Sequence, residues 1–315
     1  MTDADLLLGY IPADYFLGGE IPLDPKLAEA AVEKVGHRLG LTAAETTQAI
    51  FTTVNSFMAD QITAVSTKKG YDVRDFALVV GGGAWPVHGA FIADLLGIPT
   101  VIIPPVAALY SAFGMFAMDV GRDFSRPYFT PADRIDPNRV DQLYREMEEE
   151  ALQALRSMRL SGPAVVFSRT AEMRYVGQFH DIEVSLGTGA FTGRGLSETV
   201  EAFHARHEEL FTFRMPWKEV EFLTFHLKAT TPRVPFKLSS RVGTGETSKA
   251  LKRERLCLFS GRPVKTPVYE GEKLAGGDDL RGPAIIEERT TTVVIPEGYR
   301  LSVDRYRNYV LTRSE

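Results

Sequence analysis

An α/β layer on a parallel sheet, followed by an α+β segment and a small β-rich module, is the architecture that the sequence predicts. Three observations predict it. Short apolar runs alternate with helical patterns over residues 1–125; one long amphipathic pattern precedes two-residue alternation over 136–186; short runs broken by Gly and Pro fill 256–313. At 315 residues two or three domains fit, and a chain of this size buries roughly 75% of its unfolded surface without disulfide or metal staples. Apolar residues at 44% and charged residues at 24% exclude a fibrous or disordered chain.

The elements follow from local signals. Asp24-Pro25 is an N-cap with proline at the first helical position, opening a helix to about Leu39 that Gly40 stops. Thr42-Ala-Ala-Glu45 is a capping box, and Ile50, Val54, Phe57, Met58, Ile62 and Val65 recur behind it at helical spacing, up to Gly70. FALVV (76–80) reads as a buried strand running into Gly81-Gly82-Gly83, then come a helix from about Val87 to Leu96 and a second buried strand, TVIIP (100–104). From Asp136-Pro137 to Leu160 a helix carries Val140, Leu143, Met147, Ala151, Leu155 and Met158 on one stripe. Two strands joined near Gly177 fill 164–186, Ser197 caps a helix to about Phe211, and 219–229 is a strand. The expected division is 1–130, 131–235, a Ser/Thr/Gly/Lys-rich linker over 236–255 and a β module over 256–315.

Charge and targeting signals narrow the function. With 36 basic against 41 acidic residues, the formal charge of -5 argues against nucleic acid as a partner. Cys257 is the one cysteine, so no intrachain disulfide forms and a cytoplasmic location is expected. The start MTDADLLLGY has acids where a secretory signal needs Lys or Arg, and the apolar stretch from Pro105 to Val120 is broken by Ser111, Gly114 and Asp119. A protein with no membrane segment is expected.

Chemistry-bearing candidates are few. A glycine turn after a strand, as at 81–83, serves either positive φ or close backbone approach to a ligand. His204 and His207 stand three apart on one helix face, the spacing either of two metal ligands or of a packed pair. Cys257 in LCLF reads as a buried inert thiol. Arg169, Glu172 and Arg174 on one strand either bind a carboxylate or bicarbonate, or form cross-strand ion pairs. The basic stretch SKALKRER (248–255) reads as a solvated loop or protein-docking segment.

Four stretches carry a resemblance: TDADLLLGYIPADYFLGG from Thr2, GYDVRDFALVVGGGAWPVHG from Gly70, MRYVGQ at 173–178 and RGPAIIEERTTTVV at 281–294. In this order they resemble the hydantoinase A and 5-oxoprolinase family, which includes the ATP-dependent ketone carboxylases, over nearly the whole chain but only the C-terminal half of a full-length member. The resemblance implies half of an actin/hexokinase-like ATPase, a second-lobe α/β domain followed by α+β and small β-rich domains. The DxGGT-type phosphate loop of the first lobe has no counterpart here.

The resemblance also places Gly81, Gly82 and Gly83 at the family's adenosine-side motif. Trp85 stands where the family has a glycine before proline, and an indole there either stacks on adenine or fills the space of the ring. His88 matches a family histidine and either contacts phosphate, carries a proton, or caps a helix. The implied function is an accessory subunit of an ATP-dependent ketone carboxylase, of acetone or acetophenone type, in which the half length suits the small subunit of an aromatic-degradation complex. ATP and Mg would act at the level of the complex, with larger hydantoinase-like carboxylase subunits as partners or with self-association. Leu7 and Phe16, in the apolar segments Leu6-Leu7-Leu8 and Tyr15-Phe16-Leu17, are expected to dock that partner. The alternatives are a subunit of an ATP-dependent hydantoinase or 5-oxoprolinase, and a non-catalytic regulatory module.

Overall fold

A computed structural model describes residues 1–158, 165–187, 189–232, 238–240 and 247–314. The chain forms two compact units, Met1–Phe116 with Lys237–Glu315 and Ala117–Phe236, so in sequence the second interrupts the first.

The first unit begins with α1 (Thr2–Leu7) and α2 (Pro25–Leu39). The Asp24 carboxylate accepts the N–H groups of Lys26 and Leu27, and Gly40 leaves the helix at a φ of 70°. In α3 (Ala43–Lys68) the capping box closes both ways: Glu45 N–H donates to Thr42 Oγ1 at 3.3 Å, and Thr42 N–H donates to Glu45 Oε2 at 2.9 Å. Then follow β1 (Ala77–Val79), α4 (Trp85–Leu96), β2 (Thr100–Ile103) and α5 (Tyr110–Met115), with β1 and β2 parallel as expected. The expected burial of 76–80 is found only at Val80: Phe76 is 50% and Val79 48% exposed. The reason is position, since β1 is the edge strand of its sheet and pairs only with β2.

The second unit comprises β3 (Val120–Pro131), α6 (Pro137–Ser157), β4 (Val166–Tyr175), β5 (Ile182–Leu186), α7 (Gly193–Phe211) and β6 (Val220–Thr231). Its antiparallel sheet runs β3-β6-β4-β5. Val140, Leu143, Met147, Ala151 and Leu155 of α6 share one core with Met173, Tyr175, Phe222 and Phe225, whereas Met158, at the helix C-cap where the stripe runs out, is 39% exposed. The expected continuation of α6 to Leu160 lies outside the described residues. Ser197 does not cap α7. Thr192 does, accepting from Gly195 N–H at 3.3 Å, while the Ser197 hydroxyl donates back to Gly193 O inside the helix. Gly-Arg-Gly at 193–195 reads as turn by composition, and tertiary packing overrides that propensity.

The chain then returns to the first unit with β7 (Leu251–Phe259), β8 (Arg262–Glu270), β9 (Asp279–Arg281), β10 (Ala284–Glu287), β11 (Thr292–Ile295), β12 (Tyr299–Val303) and β13 (Tyr309–Arg313). Four of these form the sheet β11-β10-β8-β7, while three complete a five-stranded sheet β1-β2-β13-β12-β9. Residues 256–313 therefore do not stand apart from 1–116. β13 pairs antiparallel with β2, Leu311 opposite Val101, and Val101, Ile103, Leu301 and Leu311 are buried in one cluster. Of the expected linker 236–255, residues 236, 237 and 241–246 lie outside the described residues, and its basic end is β7 rather than a solvated loop. No helix among the described residues is long and apolar enough to cross a membrane.

Candidate functional site

The glycine turn between β1 and α4 is a junction. Gly82 sits at a φ of 112°, where a Cβ would lie 2.5 Å from Trp85 Cδ1, so only glycine fits. Gly81 packs against Tyr110, and the Thr291 hydroxyl donates to Gly83 O at 2.6 Å. Two clefts flank the turn. One, of about 160 Å³, is apolar, walled by Met58 and Ile62 of α3, Leu78 and Val79 of β1, and Trp85 and Ile92 of α4. The other, of about 190 Å³, lies between the N-terminal segment and residues 288–292, with Phe16, Gly83, Glu288 and Thr290 among its walls. Three of the four family-like stretches thus meet at this turn, and 173–178 lies in the second unit.

Beneath the turn lies a polar chain that sequence reasoning found only in part. His88 neither caps α4 nor reaches the surface; it is fully buried, its ring 4.9 Å from that of Phe51. Its Nδ1 is 2.8 Å from Asn55 Oδ1, and its Nε2 is 3.5 Å from Asp5 Oδ2. Asp5 is 1% exposed, and neither its oxygens nor His88 Nε2 has a hydrogen bond. With Nδ1–H donated to Asn55, Nε2 is the ring atom left to face the Asp5 carboxylate. The signal for Asp5 was present in the sequence as an acid in the apolar helix ADLLL, with the partner 83 residues away invisible.

Adjacent carboxylates at the end of β10 diverge. Burial alone would raise the Glu287 carboxyl, but hydrogen bonds from Lys252 and Arg253 and the charges of Arg255 and Arg253 hold it below the usual range. Burial pushes Glu288 up, against the Tyr309 hydroxyl that donates to it and the charge of Arg307. The two-residue period of the strand sends the pair to opposite sides, and Glu288 is the one that lines the polar cleft. Because its carboxyl is raised in the fold, Glu288 favours the folded state below its ordinary value and loses that contribution as pH rises through the folded one. Glu288→Gln is accordingly expected to raise the melting temperature by a few degrees at pH 8 and to change it little at pH 4, in paired thermal scans.

The other candidates resolve into structure. His204 and His207 are not a ligand pair: Tyr175 Oη is 2.8 Å from His204 Nδ1, while His207 Nδ1 donates to Phe213 O at 2.8 Å and its Nε2 lies 3.0 Å from Gln178 Nε2. Burial lowers the His204 pKa, with Glu201 opposing and Arg214 and His207 adding to it. Tyr175 also accepts the Met215 N–H, so the stretch 173–178 holds the 213–215 turn. Among the described residues no group of three or more His, Cys, Asp or Glu is placed to hold a metal ion. Arg169 pairs with Glu148, Arg174 with Glu221, and Glu172 with His226. Cys257 is buried with Sγ 3.1 Å from Gly9 O, and burial raises its pKa.

The N-terminal segment is not a bare docking face. Leu258 N–H donates to Leu8 O, the Tyr10 hydroxyl donates to Leu258 O, and Leu8, Tyr10 and Ile11 enter a core with Val268 and Val294. Leu7 is half-buried, and Phe16 packs against that core. β7 thus covers Leu8 and Tyr10, while Leu17 is 39% exposed.

Comparison with known proteins follows the same lines. A family model described as Hydantoinase/oxoprolinase matches residues 1–123, and the model of the Hydantoinase/oxoprolinase C-terminal domain matches 133–313. The caprolactamase subunit alpha of Pseudomonas jessenii is 32% identical over 99% of this chain and 46% of its own. The acetophenone carboxylase gamma subunit of Aromatoleum aromaticum is 31% identical over 97% of this chain and 43% of its own. A nucleotide-free structure of acetone carboxylase superposes with a TM-score of 0.87 and 26% identity, covering 99% of this chain and 46% of that one. The chain spans about half the length of the relatives it matches.

Proposed function

The chain belongs to the hydantoinase/oxoprolinase family, and from that premise we propose that it is the second-lobe part of an ATP-dependent ketone carboxylase, acting with larger subunits rather than housing a whole active site. The observation that carries this reading is the likeness to acetone carboxylase along 99% of the chain at a TM-score of 0.87. The finer assignment, an accessory subunit of acetophenone type, draws on the 31% identity with the acetophenone carboxylase gamma subunit. A second reading, ATP-dependent opening of a cyclic amide, is favoured by the 32% identity with caprolactamase subunit alpha.

The apolar cleft beside the glycine turn suits a flat nucleoside base, with Trp85 as one wall and Gly81 at its edge. None of its walls is Lys, Arg, Asp or Glu, so the triphosphate and its Mg find no hold there and fall to the partner. ATP, when bound, supplies the phosphoryl group that activates the carbonyl compound. This chain's residues shape the base end: Gly82 lets Trp85 lie flat against the turn, and the buried Asp5–His88–Asn55 chain fixes the start of α4 behind it.

Two measurements test the reading. Alone, the protein is expected to turn over no ATP; mixed with the larger carboxylase subunits it should restore ATP hydrolysis that depends on both ketone and bicarbonate. Restoration by a cyclic amide instead would establish the second reading, and metal-dependent ATP turnover by the chain alone would overturn both. Adenosine at 100 times its Kd should stabilise the protein by about 2.7 kcal/mol, and Trp85→Ala should abolish that shift. If adenosine leaves the melting temperature unchanged, the base is not held here.

A further inference from the structure

A cluster of charged side chains in the first unit lies on β7, outside the glycine turn. A bulge places Lys252 as an extra residue between Leu251, opposite Tyr269, and Arg253, opposite Val268. Bulges re-aim side chains, and here Lys252, Arg253 and Arg255 all reach the buried Glu287. Lys252 Nζ is 2.8 Å from Oε2, and Arg253 and Arg255 each donate to Oε1 at 2.9 Å. Arg253 also grips Asp14 end-on at 2.9 and 3.1 Å, Arg255 donates to Tyr10 O at 2.9 Å, and Lys252 Nζ lies 3.6 Å over the Tyr15 ring.

Three cations therefore face two carboxylates, and one of these, Asp14, is 69% exposed on a loop. The nearby Glu254 is taken by Lys265. The Nε–H groups of Arg253 and Arg255 are buried with no acceptor. Buried donors on charged groups are costly to leave unmatched, and such sites are commonly completed by water or an ion. Beside them opens a cavity of about 300 Å³, whose charged walls are Arg253 and Arg255 and the carboxylates of Asp14 and Glu254.

We propose that this cavity binds a small oxyanion of carboxylate or phosphate type, held by the guanidinium groups of Arg253 and Arg255, with the wall carboxylate of Asp14 as an internal competitor and that of Glu254 drawn off by Lys265. Guanidinium groups match planar or tetrahedral oxyanions in geometry and are weakly hydrated, so they suit a half-buried site. The site is independent of whatever occupies the cleft beside Trp85, with which it shares no wall.

Isothermal titration of the full chain with sodium phosphate and, separately, sodium acetate tests this against sodium chloride at equal ionic strength. Saturable binding of phosphate or acetate beyond the chloride control is expected. Asp14→Asn should tighten it roughly tenfold by removing a like charge from the wall, and Arg253→Gln should weaken it by a similar factor. Phosphate binding without acetate binding would assign a phosphate group, and binding of both a site open to carboxylates. Asp14→Asn leaves the Glu287 cluster intact, so it remains informative if Arg253→Gln does not fold. No saturable heat with either anion, in the native protein and in Asp14→Asn alike, would overturn the proposal, as would unchanged affinity in a folded Arg253→Gln.

Discussion

His88→Ala is expected to lower the melting temperature by roughly 10 °C. The substitution strips the Asp5 carboxylate of its nearest polar group in a place where it is 1% exposed and accepts no hydrogen bond. Removing one partner of a buried pair costs about 3–5 kcal/mol, chiefly because the other is left uncompensated, and each kcal/mol moves the midpoint by roughly 2–4 °C in a unit of this size. The lost contact with Phe51 adds a cavity. Asp5→Asn is the discriminating control. An amide N–H donating to Nε2 pairs the ring and removes the buried carboxylate, so this variant should melt near the native protein and should rescue part of the loss in the double variant. If His88→Ala melts within about 2 °C of the native protein, the pair does not tie α1 to α4.

Glu287→Leu is expected to cost about 3 kcal/mol, toward the lower end for a buried charge because Lys252, Arg253 and Arg255 each keep some access to water. Without the carboxylate, three cations crowd one end of β7 and only Asp14 remains to one of them. Acid gives an independent readout. The Glu287 carboxyl is held below its ordinary value near 4.5, so its contribution is fully present above that value and fades as pH falls through the lower folded one. Stability measured by urea midpoints from pH 6 to pH 3 should therefore drop more steeply in the native protein than in Glu287→Gln. Parallel acid limbs in the two would show that the cluster contributes no pH-dependent stability.

Helix ends were legible because their signals are local. Asp24-Pro25, Gly40 and the Thr42–Glu45 box each act within four residues, and all three are found as read. What stayed hidden is non-local. No pattern in TVIIP tells that it pairs with residues 309–313, and alternation in β7 does not reveal that a bulge turns Lys252 and two arginines onto one acid. Edge position explains the exposed Val79, since an apolar run looks the same at a sheet's rim as at its centre. At the site, the glycine turn and His88 were visible as a motif, whereas Asp5 and Asn55 were not, because only folding brings residues 5, 55 and 88 together. His204 and His207 stayed ambiguous for the converse reason: ligand spacing on a helix is also the spacing of two packed rings, and only the fold sets them against Tyr175 and Gln178.

The place of β13 at the centre of the five-stranded sheet bears on how a nascent chain acquires this structure. β2 leaves the ribosome with one edge paired to β1, but its other partner is made roughly 200 residues later, about 10–40 s at ordinary elongation rates. Throughout that interval the open edge of β2 has no native strand partner, while Ala117–Phe236, continuous in sequence, has every strand of its sheet. The interrupting unit is thus able to mature first, and the interrupted one must wait with an open sheet, the state in which chaperone holding and wrong-strand pairing compete. The high contact order of the β2–β13 closure makes it the slow step. Amide protection appearing in the second unit before β2, in pulse-labelled refolding, is the kinetic signature of that order.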